Sequence, residues 1–185
     1  MGVEKRMADR CNTIRLYSFQ TDVVYQVLKR DGVCYSKEEY VRKKYKESAK
    51  VFINAYGWFV KEAQHIVPKP EGAEYPYWAF TDLYNVDQTG DGHVLTLDVP
   101  IGEAILFDMF DWTKIMQMHY IGENESEEAA FSEELKNMGM NEFQIMTSNF
   151  YPEQKARIQE SWKRLFGHQQ AIEAGDNSGV HSVQA

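Results

Sequence analysis

Cysteine, proline and long apolar runs are all scarce in this sequence. Its 185 residues include 2 Cys and 5 Pro. Cys11 and Cys34 have no C-x-x-C spacing and no histidine beside them, which disfavours a zinc site and leaves a disulfide between them open. No apolar run reaches the ~20 residues of a membrane span, and the N-terminal residues contain no apolar h-region. The sequence therefore predicts a cytoplasmic protein with no signal peptide and no membrane partner.

Basic residues are also in the minority. The chain has 20 Lys and Arg against 28 Asp and Glu, a formal net charge of −8. A nucleic-acid partner is disfavoured because phosphate binding needs a basic face, and the one dense basic run, at residues 42–50, is typical of a solvated helix face. No G-x-S-x-G elbow, P-loop or dinucleotide fingerprint occurs. The commonest hydrolase, kinase and dehydrogenase functions are thereby disfavoured.

The patterns that are present predict one α+β domain with a small mixed or antiparallel sheet packed by several helices. The length fits a single domain, and an aromatic content of 14% indicates an aromatic-rich core or pocket. Strand patterns occur at residues 14–19, 77–84, 94–99, 104–107 and 141–146. Helix patterns occur at residues 22–30, from about residue 37 to Pro68, at residues 112–120, and from Pro152 onward.

Capping residues and composition set the expected boundaries. Thr21 fits the N-cap of the first helix, Ser36 and Glu39 have the spacing of a capping box, and Asp111 fits the N-cap of the helix at residues 112–120. We expect residues 1–13 to be a flexible leader, residues 14–167 to be the single globular domain, and residues 168–185 to be a disordered tail.

Residues 87–98 imitate the loop of a calcium-binding helix–loop–helix motif. Asp87, Thr89, Asp91 and Asp98 fall on ligand positions of that loop, and Gly92 falls on its invariant glycine. Both flanks, however, have strand patterns, so the favoured interpretation is a hairpin turn whose glycines supply positive φ. None of the 5 histidines has a convincing ligand-type partner at helical spacing, and the sequence predicts no metal site.

Six short motifs follow one another in a familiar order. They are LYSFQT at 16–21, AYGW at 55–58, YPYWAF at 75–80, LTLDVP at 95–100, FDMFDW at 107–112 and SWKRLF at 161–166. The ordered set resembles a bacterial family of uncharacterised single-domain proteins, domain of unknown function 3841, from about residue 14 to 166. This resemblance implies a bacterial or phage origin and an intact domain, but no mechanism. Gly57 departs from the polar or basic residue expected between Tyr56 and Trp58.

Two functional hypotheses of different class follow. The favoured one is a non-catalytic module that binds a protein or a small ligand, because no strong catalytic constellation is present and the acidic residues 123–134 can steer a basic partner. The alternative is an ADP-ribosyl-transferase-like enzyme that uses NAD, based on a fold-level analogy in the order of strands and helices. NAD is thus the one cofactor considered, and a small nucleotide-like ligand is the matching partner.

The NAD hypothesis assigns roles to particular residues. Arg15, Tyr17 or Gln20 would anchor the nicotinamide ribose from the first strand. Tyr56 or Trp78 would stack on the nicotinamide ring. Glu142 would be the late catalytic carboxylate that stabilises an oxocarbenium-like state.

A ligand site of any kind is expected where the first strand meets the predicted strand that carries Tyr77 and Trp78. Gln20 and Thr21 end one element and begin a helix, so their N–H groups favour an anionic group such as phosphate. Tyr77 and Trp78 offer flat apolar faces for a ring. A competing interpretation makes Thr21 an N-cap only and Trp78 a core residue only.

Overall fold

Two nine-residue strands form an antiparallel ribbon along one side of the fold. The structure, a computed structural model, describes residues 13–180 and 182–185. Strand β1 (Thr13–Thr21) pairs with β2 (Gly92–Pro100) in an unbroken register that sets Leu16 against Leu97. Alternation turns Leu16 inward and leaves Arg15 exposed. The strands predicted at residues 14–19 and 94–99 are confirmed and are longer than expected.

The other elements are mostly helical. The helices are α1 (Asp22–Asp31), α2 (Glu38–Tyr45), α3 (Ala49–Ala63), α4 (Met109–Met116), α5 (Glu125–Asn137), α6 (Glu142–Thr147), α7 (Pro152–Ser161) and α8 (Gln169–Glu173). Two short strands, β3 (Phe107–Asp108) and β4 (Val183–Gln184), pair antiparallel. The protein is therefore of the α+β class, as predicted. No helix in the described part of the chain is long and apolar enough to cross a membrane.

A short extended segment around Phe80 joins the two strand pairs. Phe80 and Tyr17 on β1 exchange backbone hydrogen bonds of 2.8 and 2.9 Å, and Ala79 exchanges two of 2.8 Å with Ala185, which follows β4. The segment thus contacts β1 on one side and the β4 end of the chain on the other. Because a 3₁₀ turn follows at Leu83–Asn85, the strand predicted at residues 77–84 is reduced to this contact.

Two other predicted strands need correction. Residues 141–146 are not a strand but the start of α6, which begins with a complete capping box between Asn141 and Gln144. The strand expected at residues 104–107 is confined to Phe107–Asp108, because the 3₁₀ turn Ile101–Glu103 delays it. Residues 104–107 are a short apolar run, which has no decisive period, and in residues 141–146 the alternation of Phe143 and Ile145 imitates a strand.

Lys46 interrupts the long helix predicted after residue 37. Its φ of 49° cannot continue a right-handed helix, and the 3₁₀ turn Lys46–Ser48 separates α2 from α3. The break folds α2 back onto the core, so Val41 joins the same cluster as Phe59. The predicted capping box does not form either, since α2 follows Lys37 and Ser36 instead pairs its backbone with Tyr75.

Asp108, rather than Asp111, caps α4. Asp108 Oδ1 accepts a hydrogen bond of 2.9 Å from the backbone N–H of Phe110. Asp111 lies within the first helical turn, so the predicted cap is wrong by one turn. Thr21 does occupy the N-cap of α1, but its side chain makes no capping hydrogen bond.

Two hydrophobic clusters form the core. The larger one surrounds Trp162, which is fully buried and donates from its indole N–H to the carbonyl of His119 at 2.6 Å. The smaller one lies between the strands and the C-terminal residues. Its buried members are Leu16, Ala79, Ala104, Leu106, Ile172 and Val183.

The residues after Gly167 belong to the folded structure. Gln169 is buried, and its side-chain oxygen accepts from the backbone N–H of Leu106 at 2.5 Å. Val183 on β4 is 5% exposed within the smaller cluster. The prediction of a disordered tail at residues 168–185 is therefore wrong for the described residues, because a few apolar side chains in a polar stretch fix it to the core. Residues 1–12 of the predicted leader lie outside the described residues.

Candidate functional site

A cavity of about 280 Å³ opens at the place where the two hydrophobic clusters meet. We call it the seam cavity. Leu16 and Ala104 from the smaller cluster line it, and Phe59 and Trp78 from the larger cluster line it as well. The connection at residues 67–70 closes another side. The cavity is therefore walled by the sheet, by the end of α3 and by the segment that follows α3.

Small side chains leave the seam cavity unfilled. Ala63, Ala73, Ala79 and Ala104 all line it, and each is less than 10% exposed. An alanine side chain ends at Cβ, so alanines on facing walls leave a space that larger side chains would fill in a close-packed interior. Leu97, paired with Leu16 across the β1–β2 ribbon, completes the apolar wall on the sheet side.

Two tyrosines at the seam cavity have their hydroxyl groups engaged elsewhere. Tyr75 Oη donates to Glu38 Oε2 at 3.0 Å, and Tyr77 Oη contacts Cys34 Sγ at 3.1 Å. Burial raises the pKa of Tyr75 to about 12, with a further contribution from the Glu38 carboxylate. Burial also raises the pKa of Tyr77. Both phenols are therefore neutral at physiological pH, and neither is an available base.

Charged lining groups lie at the rim. Lys69 and Glu103 line the seam cavity, and both are exposed residues. The Lys69 ammonium donates to the carbonyl of Ala73, and this hydrogen bond connects two residues within the segment that follows α3. The interior of the cavity is thus apolar, and charge is confined to its edge.

The residues predicted as anchors on the first strand divide between the two faces of β1. Arg15 is on the exposed face, where it forms a two-point ion pair with Asp98 at 2.9 and 3.2 Å, which lowers the pKa of Asp98. Tyr17 is on the same face as Arg15. Gln20 is on the opposite face and donates from Nε2 to Ser18 Oγ at 2.8 Å.

The predicted meeting of the first strand with Trp78 does occur, but through the backbone. Ser18 Oγ donates to the carbonyl of Trp78 at 2.7 Å and also accepts from Gln20, so one hydroxyl connects both residues. Thr21 lies at the start of α1. None of Arg15, Tyr17, Gln20 and Thr21 lines the seam cavity, whereas Tyr77 and Trp78 do.

Trp78 and Tyr56 are brought together, inside an aromatic cluster. Their ring centroids lie 5.4 Å apart, and the Trp78 ring is 4.6 Å from Trp112 and 5.2 Å from Phe59. Burial raises the pKa of Tyr56 to about 12. Tyr56 is therefore a core residue, and Trp78 is both a core residue and part of a cavity wall.

Glu142 lies in a different place from the other predicted site residues. Its Oε1 accepts from the backbone N–H of Tyr120 at 3.0 Å, and its Oε2 is 3.9 Å from His119 Nε2. It does not line the seam cavity. The Glu142 carboxylate, on α6, thus binds the backbone of the segment that follows α4. The structure does not bring it together with Arg15, Gln20 or Trp78.

Two of the acidic side chains of the calcium-like loop, Asp87 and Asp98, are engaged in other contacts. Asp87 accepts from the backbone N–H and the hydroxyl of Thr89 at 2.9 and 2.7 Å, which lowers the pKa of Asp87. Asp98 lies on β2 in the ion pair with Arg15. Residues 86–91 are an irregular connection rather than the hairpin turn that the sequence favours, since β2 pairs with β1. No group of three or more potential metal ligands is found in the described residues.

Sequence reasoning missed most of the seam cavity. Of its residues, only Tyr77 and Trp78 were predicted, and they were expected to face a nucleotide. Alanines carry no chemical signal, and the cavity exists only because segments distant in sequence leave space between them.

The comparisons with known proteins place the chain in a family without a known activity. No curated protein and no solved structure matches the chain. The sequence model of the family described as Domain of unknown function (DUF3841) matches residues 15–185, which includes the residues after Gly167. This chain therefore belongs to the DUF3841 family.

Proposed function

We propose that this protein is a non-catalytic binding module that takes a small, mostly apolar molecule into the seam cavity. The carrying observation is the cavity itself, about 280 Å³ in volume, with aromatic and alanine walls between two core clusters. A dry engineered cavity of ~150 Å³ binds benzene, and drug-sized sites start near ~300 Å³. The matching ligand is a bicyclic aromatic or a compact branched aliphatic molecule.

The polar groups of the site support binding without chemistry. A general acid or base must lie within hydrogen-bond reach of the reacting atoms and have a pKa near the working pH. The hydroxyls of Tyr75 and Tyr77 are bonded to other residues and have raised pKa values. Lys69 and Glu103 are at the rim. The ligand is held by apolar contact, and rim groups meet whichever polar atom it exposes.

The proposal places this binding in the cytoplasm of a bacterial cell. The free thiol of Cys34 is consistent with a reducing compartment, and the bacterial source follows from the family resemblance. The NAD-dependent alternative has no comparable support, since Glu142, Arg15 and Trp78 do not converge on one cavity.

Calorimetric unfolding with indole as the probe tests the proposal. At a concentration ten times its dissociation constant, a ligand stabilises the folded protein by ~1.4 kcal/mol, which raises the Tm of a chain of this size by about 3–6 °C. We expect a concentration-dependent rise with indole and none with NAD or ADP-ribose. A rise with NAD and none with indole would instead favour the enzyme hypothesis.

Filling the seam cavity supplies the matched control. Ala63 lines the cavity from the end of α3, so Ala63→Leu should remove the indole-induced rise in Tm. Ala156 is exposed on α7, and Ala156→Leu should leave the rise unchanged. Indole binding that survives Ala63→Leu would place the probe elsewhere and contradict the proposal.

A further inference from the structure

The outer edge of β2 exposes a row of backbone N–H and C=O groups, whose direction follows from the hydrogen-bonding pattern of the sheet. Tyr17 exchanges both of its backbone hydrogen bonds with Phe80, so its N–H and C=O point away from β2. Tyr17 faces Thr96 across the ribbon, and this pair is therefore a non-hydrogen-bonded pair. Thr96 then points its own N–H and C=O away from β1. By alternation, Val94 and Asp98 do the same.

These outward groups have no hydrogen-bond partner among the described residues. No hydrogen bond from any described residue reaches the backbone of Val94, Thr96 or Asp98 on that side. The side chains of all three are exposed. We call this row the β2 edge.

The β2 edge also lacks the usual protection against strand pairing. Natural edge strands are shortened, bulged or given lysines and prolines. Strand β2 is nine residues long, keeps an unbroken register with β1, and has its single proline at its last position. Its one charged side chain, Asp98, is neutralised by the two-point ion pair with Arg15. An unbroken edge of this length, whose one charged side chain is paired, favours addition of another strand.

We propose that the β2 edge pairs with the β2 edge of a second copy of this chain, antiparallel, about a two-fold axis that passes between the two Thr96 residues. In this register Thr96 faces its own counterpart, and Val94 faces Asp98 of the partner subunit. Each of these facing pairs exchanges two backbone hydrogen bonds. The surface is self-complementary, as a two-fold interface requires.

At the centre of the interface, side chains fit the same register on both faces of the extended sheet. On the exposed face, two threonines meet at the axis, a pairing that stabilises antiparallel sheets. On the inner face, Leu95 and Leu97 of one copy face Leu97 and Leu95 of the other, so apolar side chains pair with apolar side chains. The two Asp98 carboxylates lie at opposite ends of the interface, each beside its own Arg15.

The pairing brings the second copy next to the seam cavity. Leu97 and Val99 line the cavity from β2, and the register places Leu95 and His93 of the partner subunit beside them. The dimer would thus extend the apolar sheet wall of the cavity. Association itself requires no ligand, so the dimer and the proposed function can fail independently.

Sedimentation of the full chain without ligand tests the proposal. We expect a reversible monomer–dimer equilibrium that shifts towards dimer as salt is added, because each copy has a net charge of −8 and salt screens their repulsion. Thr96→Lys sets two ammonium groups against each other at the axis and should shift the equilibrium to monomer. Thr113→Lys makes the same charge change at an exposed position on α4 and should leave the dimer intact.

A cross-link tests the register. Facing residues of a hydrogen-bonded antiparallel pair have Cα atoms ~5.5 Å apart, a spacing that a disulfide can bridge. With Cys11 and Cys34 replaced by serine, Thr96→Cys should give a disulfide-linked dimer on mild oxidation, and Thr113→Cys should give none. A wild type that stays monomeric at high salt, a dimer that survives Thr96→Lys, or equal cross-linking at both positions would overturn the proposal.

Discussion

Two glycines differ in whether the surrounding structure leaves room for a side chain. Gly92 starts β2, and a Cβ there would lie 2.4 Å from the backbone oxygen of Gln20 and 2.5 Å from the Phe19 ring. Gly57, in the middle of α3, has no atom within 4 Å of the position of an added Cβ. Glycine is therefore required at position 92 because β1 approaches it closely. Gly57 is exposed in a helix, and packing does not require glycine there.

Gly57→Ala should stabilise the protein. Alanine is favoured over glycine inside a helix by ~0.8–1 kcal/mol, and the added methyl group meets no neighbour here. Urea unfolding should show a higher midpoint with an unchanged slope. Gly92→Ala is the contrasting variant and should lower the midpoint, because the Gln20 backbone cannot move without disturbing the ribbon. A loss of stability in Gly57→Ala would indicate an unrecognised packing role.

Asp108→Ala should lower stability by about 1 kcal/mol or more, the usual cost of an N-cap lost from a helix. The side chain is 3% exposed and accepts from the N–H of Phe110. Asp108→Asn keeps the side-chain acceptor and should retain most of the stability in thermal unfolding. Burial raises the pKa of Asp111, one turn later, which marks it as a poorly solvated carboxyl group rather than a cap. Equal losses in Asp108→Ala and Asp108→Asn would contradict the capping role.

At the scale of elements, a polar cluster connects α5 to the 3₁₀ helix Trp162–His168, which follows α7. Tyr120 Oη donates to Glu127 Oε1 at 2.6 Å, and Arg164 donates from Nη2 to the same oxygen at 3.3 Å. Arg164 Nη1 also donates to the carbonyl of Ile121 at 2.5 Å. The Tyr120 ring stacks on Phe131 of α5 with centroids 4.4 Å apart. The Glu127 carboxylate, the Arg164 guanidinium and the Tyr120 ring thus connect α5, the 3₁₀ helix after α7 and the segment that contains Tyr120 and Ile121.

This cluster predicts an acid-dependent stability. The Tyr120 hydroxyl, and then the other donors, lower the pKa of Glu127 in the folded state. A lowered folded pKa means that the contribution is complete above the unfolded value of ~4.3 and is lost as the pH falls through the folded pKa. Glu127→Gln should therefore be less stable than the wild type at pH 7, and the difference should shrink below pH ~4. Parallel curves of Tm against pH for the two proteins would exclude this role.

At the scale of the whole molecule, the C-terminal residues close the smaller cluster. Ile172 and Val183 are buried in it, and Gln169 supplies the acceptor for the Leu106 N–H. Asn85 donates from its side chain to Ser182 Oγ at 2.7 Å, which connects the irregular segment before β2 to the same region. The cluster is therefore assembled from both ends of the described chain.

Truncation after Gly167 should destabilise the protein strongly. It removes β4 from β3, exposes Leu16 and Leu106, and leaves the Leu106 N–H without its acceptor. We expect the truncated chain to bind a hydrophobic dye and to lose the cooperative unfolding transition. Limited proteolysis of the full chain should spare residues 169–173 and 182–185. A stable, cooperatively folding core that ends at Gly167 would contradict this role.

Local physical chemistry explains which parts of the fold are predictable from the sequence. Alternation in β1 and β2, the left-handed Gly32 that ends α1, and Pro152 at the start of α7 are each decided by neighbouring residues, and all three agree with the structure. The helix at residues 142–147 is also marked locally, by the capping box between Asn141 and Gln144. The break at Lys46 does not follow from local pattern, because α2 packs Val41 against the larger cluster, and contacts between distant segments outweigh a difference in intrinsic propensity of less than about 1 kcal/mol per residue.

The sequence by itself determined the α+β class, the β1 and β2 strands and the family of the chain. Only the tertiary structure decided where the cavity of the proposed ligand site and the edge of the proposed dimer lie. The seam cavity is a space between Ala63, Trp78 and Ala104, and the openness of the β2 edge depends on what lies beside Thr96. Both properties depend on distances between segments remote in sequence, and burial and backbone pairing are set by the whole packed chain rather than by any single stretch of it.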